Sequence, residues 1–307
     1  MIPLALVAGF LGAGKTTLLR RFADRLRGRR VIFLVNEFAG EEVDATLIAE
    51  AGGLARAVSG GSVFCVCKAD EFRDALAEAA RSPGVEGVIV EASGMADPRA
   101  MGKILDDPRL AGLFSLIQLV AVTDSVTFPK LVHTLPAVAG QAAEADVILL
   151  NKCDLAAPDQ VEWAERQLRE INPRARLLRA VRAEIDLDPF AAGENAGRRL
   201  DGNLAGCGDR AFVSLLVGFD RPVALKAFRK LLDDLGGWAV RVKGWLNTGE
   251  GGRLFVEQTT LGGLATQPAS EGPSRLVFIV PKNAAPAVRN RLFTEPGARL
   301  KIADTSR

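Results

Sequence analysis

The octapeptide Gly9-Phe10-Leu11-Gly12-Ala13-Gly14-Lys15-Thr16 constrains this chain more than any other segment. It fits the pattern G-x-x-x-x-G-K-[ST], and its neighbours are those the pattern requires. An apolar run, Leu4–Ala8, precedes it and an amphipathic helical pattern, Thr16–Arg27, follows it. Its glycines let the backbone wrap closely around phosphate groups with successive N–H groups pointing inward. Lys15 is placed to reach β- and γ-phosphates as a point charge. The Thr16 hydroxyl is placed to ligate Mg²⁺, and the positive end of the helix adds its own attraction. Gly9, Gly12, Ala13, Gly14, Lys15, Thr16 and Thr17 are therefore the expected phosphate-binding residues.

The rest of the first half fits such a loop into an α/β frame. Apolar runs at Val31–Val35, Gly87–Val90, Ile117–Thr123, Val147–Leu150 and Arg176–Val181 alternate with helical patterns at Asp70–Arg81 and Pro158–Ile171. Nearly continuous Val, Ile and Leu is how strands read when both faces of a parallel sheet are covered. The spacing predicts a P-loop fold over residues 1–190, with a doubly wound, mostly parallel sheet. Residues 191–210 lose apolar periodicity and are rich in Gly, Ala, Asn, Asp and Arg, which predicts a linker or a long loop. Residues 211–307 predict a smaller α+β domain with an antiparallel sheet. Its strands lie at Phe212–Phe219, Trp238–Leu246, Arg253–Gln258 and Arg275–Val280, and its helices at Pro222–Leu235 and Ala285–Phe293. Trp238 and Trp245 fall on opposite faces of one such strand, one for the core and the other free to face a partner.

Two strand ends carry further chemistry. Val147–Leu150 delivers Asn151-Lys152-Cys153-Asp154. A buried Asp154 carboxylate accepts two hydrogen bonds from the N1–H and N2–H₂ of guanine, a donor pair adenine lacks, and the Lys152 stem can cover the base or ribose. Val88–Val90 delivers Glu91 to the carboxyl edge, where open α/β sheets carry their ligands. Glu91 is placed there to hold the magnesium shell or a water. The Gly94 backbone N–H can approach a γ-phosphate.

Composition removes other classes. Apolar residues make up 48% and charged residues 25%, as in a soluble globular chain. The net charge of +2 gives no electrostatic case for nucleic acid or a membrane surface. No segment reaches the ~18 apolar residues of a membrane span. Four cysteines in 307 residues make no disulfide framework, so a reducing cytoplasm is the expected location. The single histidine, His133, rules out a His-rich metal store and is read as a surface residue. The arginines between Arg20 and Arg30 end a helix, where cations complement its negative pole.

These motifs together resemble those of the CobW-type GTPases, relatives of the nickel chaperones UreG and HypB. The resemblance runs through Gly9–Thr17, Asn36-Glu37-Phe38 followed by Asp44, Glu91–Pro98, Asp124 after a strand, Asn151–Asp154 and Arg241–Gly244. It implies a GTPase domain, a smaller C-terminal domain, and delivery of a metal or metallocofactor to a client metalloprotein. The family carries its metal on Cys-x-Cys-Cys, whereas this chain has Cys65-Val66-Cys67-Lys68. Cys65 and Cys67 lie on one face of an extended backbone, and with Glu37 or Glu42 they could hold Zn²⁺ or another divalent ion. Two buried structural cysteines are the competing reading. At the level of function, a GTP-driven metal chaperone and a GTPase switch that remodels a cofactor enzyme without carrying metal both stay open. A small-molecule kinase conflicts with Asn151–Asp154. Self-association as a homodimer also stays open.

Overall fold

The computed structural model describes residues 1–37, 43–59, 64, 68–193, 195–205, 212–236, 238–239, 241–249, 252–259, 262–295 and 298–302. The chain forms two compact units, the first made of Met1–Glu37 with Asp44–Cys207 and the second containing Gly208–Arg307.

In the first unit, β1 (Ile2–Gly9), α1 (Lys15–Arg25) and β2 (Val31–Glu37) are followed by α2 (Val43–Glu50) and β3 (Leu54–Ser59). Next come α3 (Ala69–Arg81), β4 (Gly87–Glu91), α4 (Met101–Leu105) and β5 (Phe114–Asp124). The unit continues through α5 (Phe128–Leu131), α6 (Pro136–Ala143), β6 (Val147–Asn151), α7 (Pro158–Ile171) and β7 (Arg176–Arg179). The seven strands pair in the order β3-β2-β4-β1-β5-β6-β7, every pair parallel. β1 explains the unbroken apolar runs. Leu4, Leu6 and Ala8 enter one core with Phe72 and Leu76 of α3, Ile104 of α4 and Leu168 of α7. Ala5 and Val7 enter the opposite core with Leu18, Leu19 and Phe22 of α1. Each large side chain sealed in this way contributes ~1.5–3 kcal/mol.

Of the two readings, linker or long loop, residues 191–205 follow the second. Among the described residues they hold no helix or strand, apart from an isolated bridge at Ala205, and they pack on the first unit. The Gly197 N–H donates to Leu116 O at 2.7 Å, Leu200 is buried in the core beside α4, and the Ala205 N–H donates to Phe64 O at 2.8 Å. Hydrogen bonding to the sheet and one buried leucine, rather than periodicity, fix this segment, so its composition reads as a loop.

The second unit contains β8 (Phe212–Phe219), α8 (Leu225–Asp234), β9 (Arg241–Thr248), β10 (Gly252–Thr259), β11 (Gly262–Ala269), β12 (Arg275–Pro281), α9 (Ala285–Phe293) and β13 (Ala298–Ile302). Its six-stranded sheet, ordered β11-β10-β9-β12-β8-β13, is antiparallel throughout. Phe228 and Leu231 of α8 and Val288 and Leu292 of α9 share a core with Leu215, Leu246 and Phe278 of the sheet. The helix expected from Pro222 starts only at Leu225, because the Val223 N–H is held by Asn247 O at 2.9 Å. The strand expected from Trp238 starts at Arg241. Trp238 is half exposed outside it, and Trp245 is buried. Among the described residues no helix is long and apolar enough to cross a membrane.

Helix α3 is fastened by a charge cluster. Arg109 bonds Asp70 at 3.0 Å, Asp74 at 2.8 Å and Asp107 at 2.9 Å, and Arg73 lies 3.2 Å from Asp107. The Arg109 guanidinium and backbone N–H hold the Asp107 carboxyl at about 2. A depressed folded-state value means that stability from this contact is present above the ordinary carboxylate range and is lost as pH falls through about 2. Carboxyl NMR titration is expected to place Asp107 near 2, and Arg109→Gln to return it toward ~3.9. An unchanged midpoint in the variant would remove Arg109 as the cause.

Candidate functional site

The carboxyl ends of β4, β1, β5 and β6 lie side by side and bring Glu91, Gly9, Asp124 and Asn151 to one edge. Gly9, Gly12 and Gly14 of the connecting loop have φ of 147°, 78° and 113°, values that L side chains rarely adopt. The loop ends at Gly14, which caps α1, so Lys15 and Thr16 occupy the first turn of the helix and are buried, while Thr17 is exposed. Lys15 Nζ donates to Gly9 O at 2.9 Å and to Phe10 O at 3.4 Å, and lies 3.9 Å from Glu91 Oε1. Lysine and carboxylate are both almost wholly enclosed, at 4% and 5% exposure. They form a buried ion pair at the point where the loop meets the end of β4.

Asn151, at the end of β6, joins the phosphate loop to the loop after β7. Its Nδ2 donates to Ala13 O at 2.9 Å, and its Oδ1 accepts the Ala183 N–H at 2.8 Å. A Cβ on Gly14 would come within 2.3 Å of Asn151 Nδ2, so this contact requires glycine at position 14. Arg182 and Ala183 follow one another in the left-handed region at φ of 50° and 53°, which is costly for residues with side chains. The bonds from Asn151 to Ala183 and from Arg21 Nε to Arg182 O, the latter 2.8 Å, hold them there. The segment Ala180–Glu184 thus belongs to the site. Its only signal in the sequence is that it follows β7 at the ligand-bearing edge.

Lys152 is left-handed at φ 60°, and its Nζ lies 2.8 Å from Asp124 Oδ2. The other Asp124 oxygen accepts the N–H groups of Val126 at 2.9 Å and Thr127 at 2.8 Å. Asp124 is buried and holds both the turn after β5 and the lysine of the next loop. Ser125 Oγ donates to Lys152 O at 2.8 Å, and the Cys153 N–H to Ala180 O at 3.1 Å. Burial pushes the Cys153 thiol up, which keeps it protonated and packed rather than reactive. Asp154 corrects one expectation: it is exposed, not buried, because the loop carries it outward past Lys152. His133 is exposed, with its ring 6.2 Å from that of Trp163. Among the basic run, Arg21 and Arg25 pair with Glu184 and Asp186 and so do more than complement the helix dipole.

After β4, the Ala96 N–H closes a turn on Ser93 O at 3.0 Å, and a Cβ on Gly94 would come within 2.9 Å of Leu11 N. Gly94 therefore lies directly against the phosphate loop. Glu37 ends β2, two strands from β1 across β4, but its side chain lies outside the described residues, as do Glu42, Cys65 and Cys67. Among the described residues, no group of three or more His, Cys, Asp or Glu could hold a metal.

A glycine-lined anion cradle with a buried lysine, an acidic strand end beside it and an Asn-Lys-x-Asp loop bonded to it define a P-loop nucleotide-binding protein. The family model of the CobW/HypB/UreG nucleotide-binding domain matches residues 3–179, and that of the cobalamin synthesis protein CobW C-terminal domain matches residues 212–294. The chain belongs to the CobW family. It is 29% identical over 231 residues to the zinc chaperone CobW of Pseudomonas aeruginosa, which is 65% of this chain and 61% of that protein. It is 27% identical to the zinc chaperone YjiA of Escherichia coli K12, over 83% of this chain and 85% of that one. It is 28% identical to the zinc-regulated GTPase metalloprotein activator 1 of Schizosaccharomyces pombe, over 60% of this chain and 47% of the relative. Among solved structures, Zn(II)-bound YjiA GTPase from E. coli aligns with a TM-score of 0.49 and 23% identity, covering 94% of this chain and 97% of that chain.

Proposed function

We propose that this chain binds and hydrolyses GTP with magnesium and acts as a metal or metallocofactor chaperone for a client protein. The observation that carries the nucleotide half is the Asn151 carboxamide, bonded at once to Ala13 of the phosphate loop and to Ala183 beside the base loop. That bond sets the two loops at a fixed separation, which suits a ligand with phosphates at one end and a base at the other. Lys15 exchanges its contacts with Gly9 and Phe10 for phosphate oxygens, meeting charge that develops as the terminal phosphoryl group leaves. Asp154 reads guanine from the surface of its loop, and Lys152, held by Asp124, covers the base. Gly94 approaches the terminal phosphate.

Thr16 and Glu91 fit a magnesium ion: both offer hard oxygen donors at the carboxyl edge and both are buried beside the cradle. Bound there, the ion would neutralise phosphate charge. The chaperone half is supported by the relatives' names, all of which refer to zinc. Zinc is cargo in this reading, taken by Cys65 and Cys67 with Glu37 or Glu42, and the client is a metalloprotein.

The test is titration with Zn²⁺ against a competing chelator, with and without a non-hydrolysable GTP analogue. Binding tighter than micromolar, lost in Cys65→Ser/Cys67→Ser and altered by the analogue, is the expected result. Coupling between two sites must be reciprocal, so zinc should shift analogue affinity by the same factor. Stoichiometry near zero in both states would leave a GTPase switch that remodels its client without carrying metal.

A further inference from the structure

Gln141 lies on α6 with 1% of its surface exposed. Its Nε2 donates to Gly94 O at 3.2 Å and to Ala96 O at 3.0 Å. Both carbonyls belong to the turn after β4 that the Ala96 N–H closes on Ser93 O. The two donor hydrogens of this carboxamide thus serve the main chain of one four-residue turn. The opposite side of that turn abuts the phosphate loop at Leu11. The turn is held between a buried amide behind and the nucleotide cradle in front.

Helix α6 is itself fixed by a second buried carboxamide. Asn172, just past the end of α7, donates through Nδ2 to the carbonyls of Ala142, Ala143 and Ala145 at 2.9, 3.0 and 2.8 Å. Its Oδ1 accepts the N–H groups of Arg174 at 3.2 Å and Ala175 at 3.1 Å. α7 is the helix that follows the Asn151–Asp154 loop. A continuous path of side-chain-to-backbone bonds therefore runs from the end of that helix, through α6, to the turn bearing Gly94.

We infer that Gln141 is a positioning residue for the terminal phosphate of the nucleotide. It fixes the peptide planes of the Gly94–Ala96 turn so that the Gly94 N–H is held ready for that group. The inference rests on the GTP reading given above. Buried carbonyls that lose their donor must find another or move, so removing the carboxamide releases the turn. GDP lacks the phosphate that the turn would contact, so the effect must be selective for the triphosphate.

The experiment uses the full chain with Gln141→Met, which keeps the length of the side chain and removes both donors. Affinity for GDP is expected to stay within about twofold, while that for a non-hydrolysable GTP analogue weakens roughly tenfold, with turnover falling at least as much. Hydrogen exchange in the nucleotide-free protein is expected to accelerate at Ala96 and not at Leu18 or Leu149, a readout independent of nucleotide. If the variant does not fold, Gln141→Asn keeps the carboxamide but draws it back by one methylene, and the same selective pattern is expected. Equal weakening of GDP and the analogue, or unchanged analogue affinity with unchanged Ala96 exchange, would overturn the inference. Wild-type protein that binds neither guanine nucleotide would overturn the GTP reading, and this inference with it.

Discussion

Lys15→Ala is expected to lower GTP turnover by roughly 10³-fold, since one preorganised donor facing developing charge is worth that order in rate. Lys15 is not a mobile surface lysine; its ammonium is parked on Gly9 O and Phe10 O within a few ångströms of Glu91, all behind the loop that would enclose the phosphates. Removing it also takes a cation from beside a buried carboxylate, which lowers stability through an unbalanced charge. The variant is therefore read beside Lys15→Ala/Glu91→Gln, in which that carboxylate is neutral. Phosphate release measured at saturating GTP, with circular dichroism of both proteins, separates lost chemistry from lost fold. Turnover that survives in a folded Lys15→Ala protein would show that the cradle does not work on phosphates.

Asp154→Asn is expected to weaken GTP by ~2–4 kcal/mol, or roughly 30- to 10³-fold, because a group that accepts two hydrogen bonds becomes one that must donate at one position. Because Asp154 is exposed, the nucleotide-free protein should keep its thermal midpoint, and the whole effect should appear in binding. Asn151 is the contrasting neighbour, buried and bonded on both sides, where a substitution acts on the fold first. Calorimetric titration of wild type and variant with GTP and ATP checks the prediction. Equal affinity of the wild type for the two nucleotides would remove the guanine assignment.

The parallel sheet and the phosphate loop were legible because burial on both faces demands unbroken apolar runs, and because few sequences other than a glycine-rich turn can adopt three left-handed φ values before a helix. α7 matched its expected span at both ends, helped by Pro158 and the charges of its two termini. β3 was missed, since Leu54–Ser59 is an edge strand whose apolar residues are interrupted by Arg56. β11 and β13 were missed for the same reason at the two edges of the second sheet. The candidate site was legible where a motif names the side chain and obscure where a side chain acts through tertiary contacts. Asp124 carried the resemblance but not its role as the clamp on Lys152, a contact made across 28 residues of chain, and Gln141 beneath Gly94 left no mark because its partners are main-chain carbonyls. The exposure of Asp154 was likewise invisible, because it depends on the left-handed turn at Lys152.

The strand order has a consequence for how the protein comes into being. Leu4 pairs with Val88 on one side and with Leu116 on the other, so β1 has no neighbour until β4 has been made, some eighty residues further along the chain. Until then its apolar run has nothing to pair with, and loop closure over so many residues is slow. The phosphate cradle cannot take shape before β4 and β5 flank it, and its bond to Asn151 must wait for β6. Competence to hold a nucleotide thus waits for β6, and up to that point the apolar strands already made are exposed to mispairing.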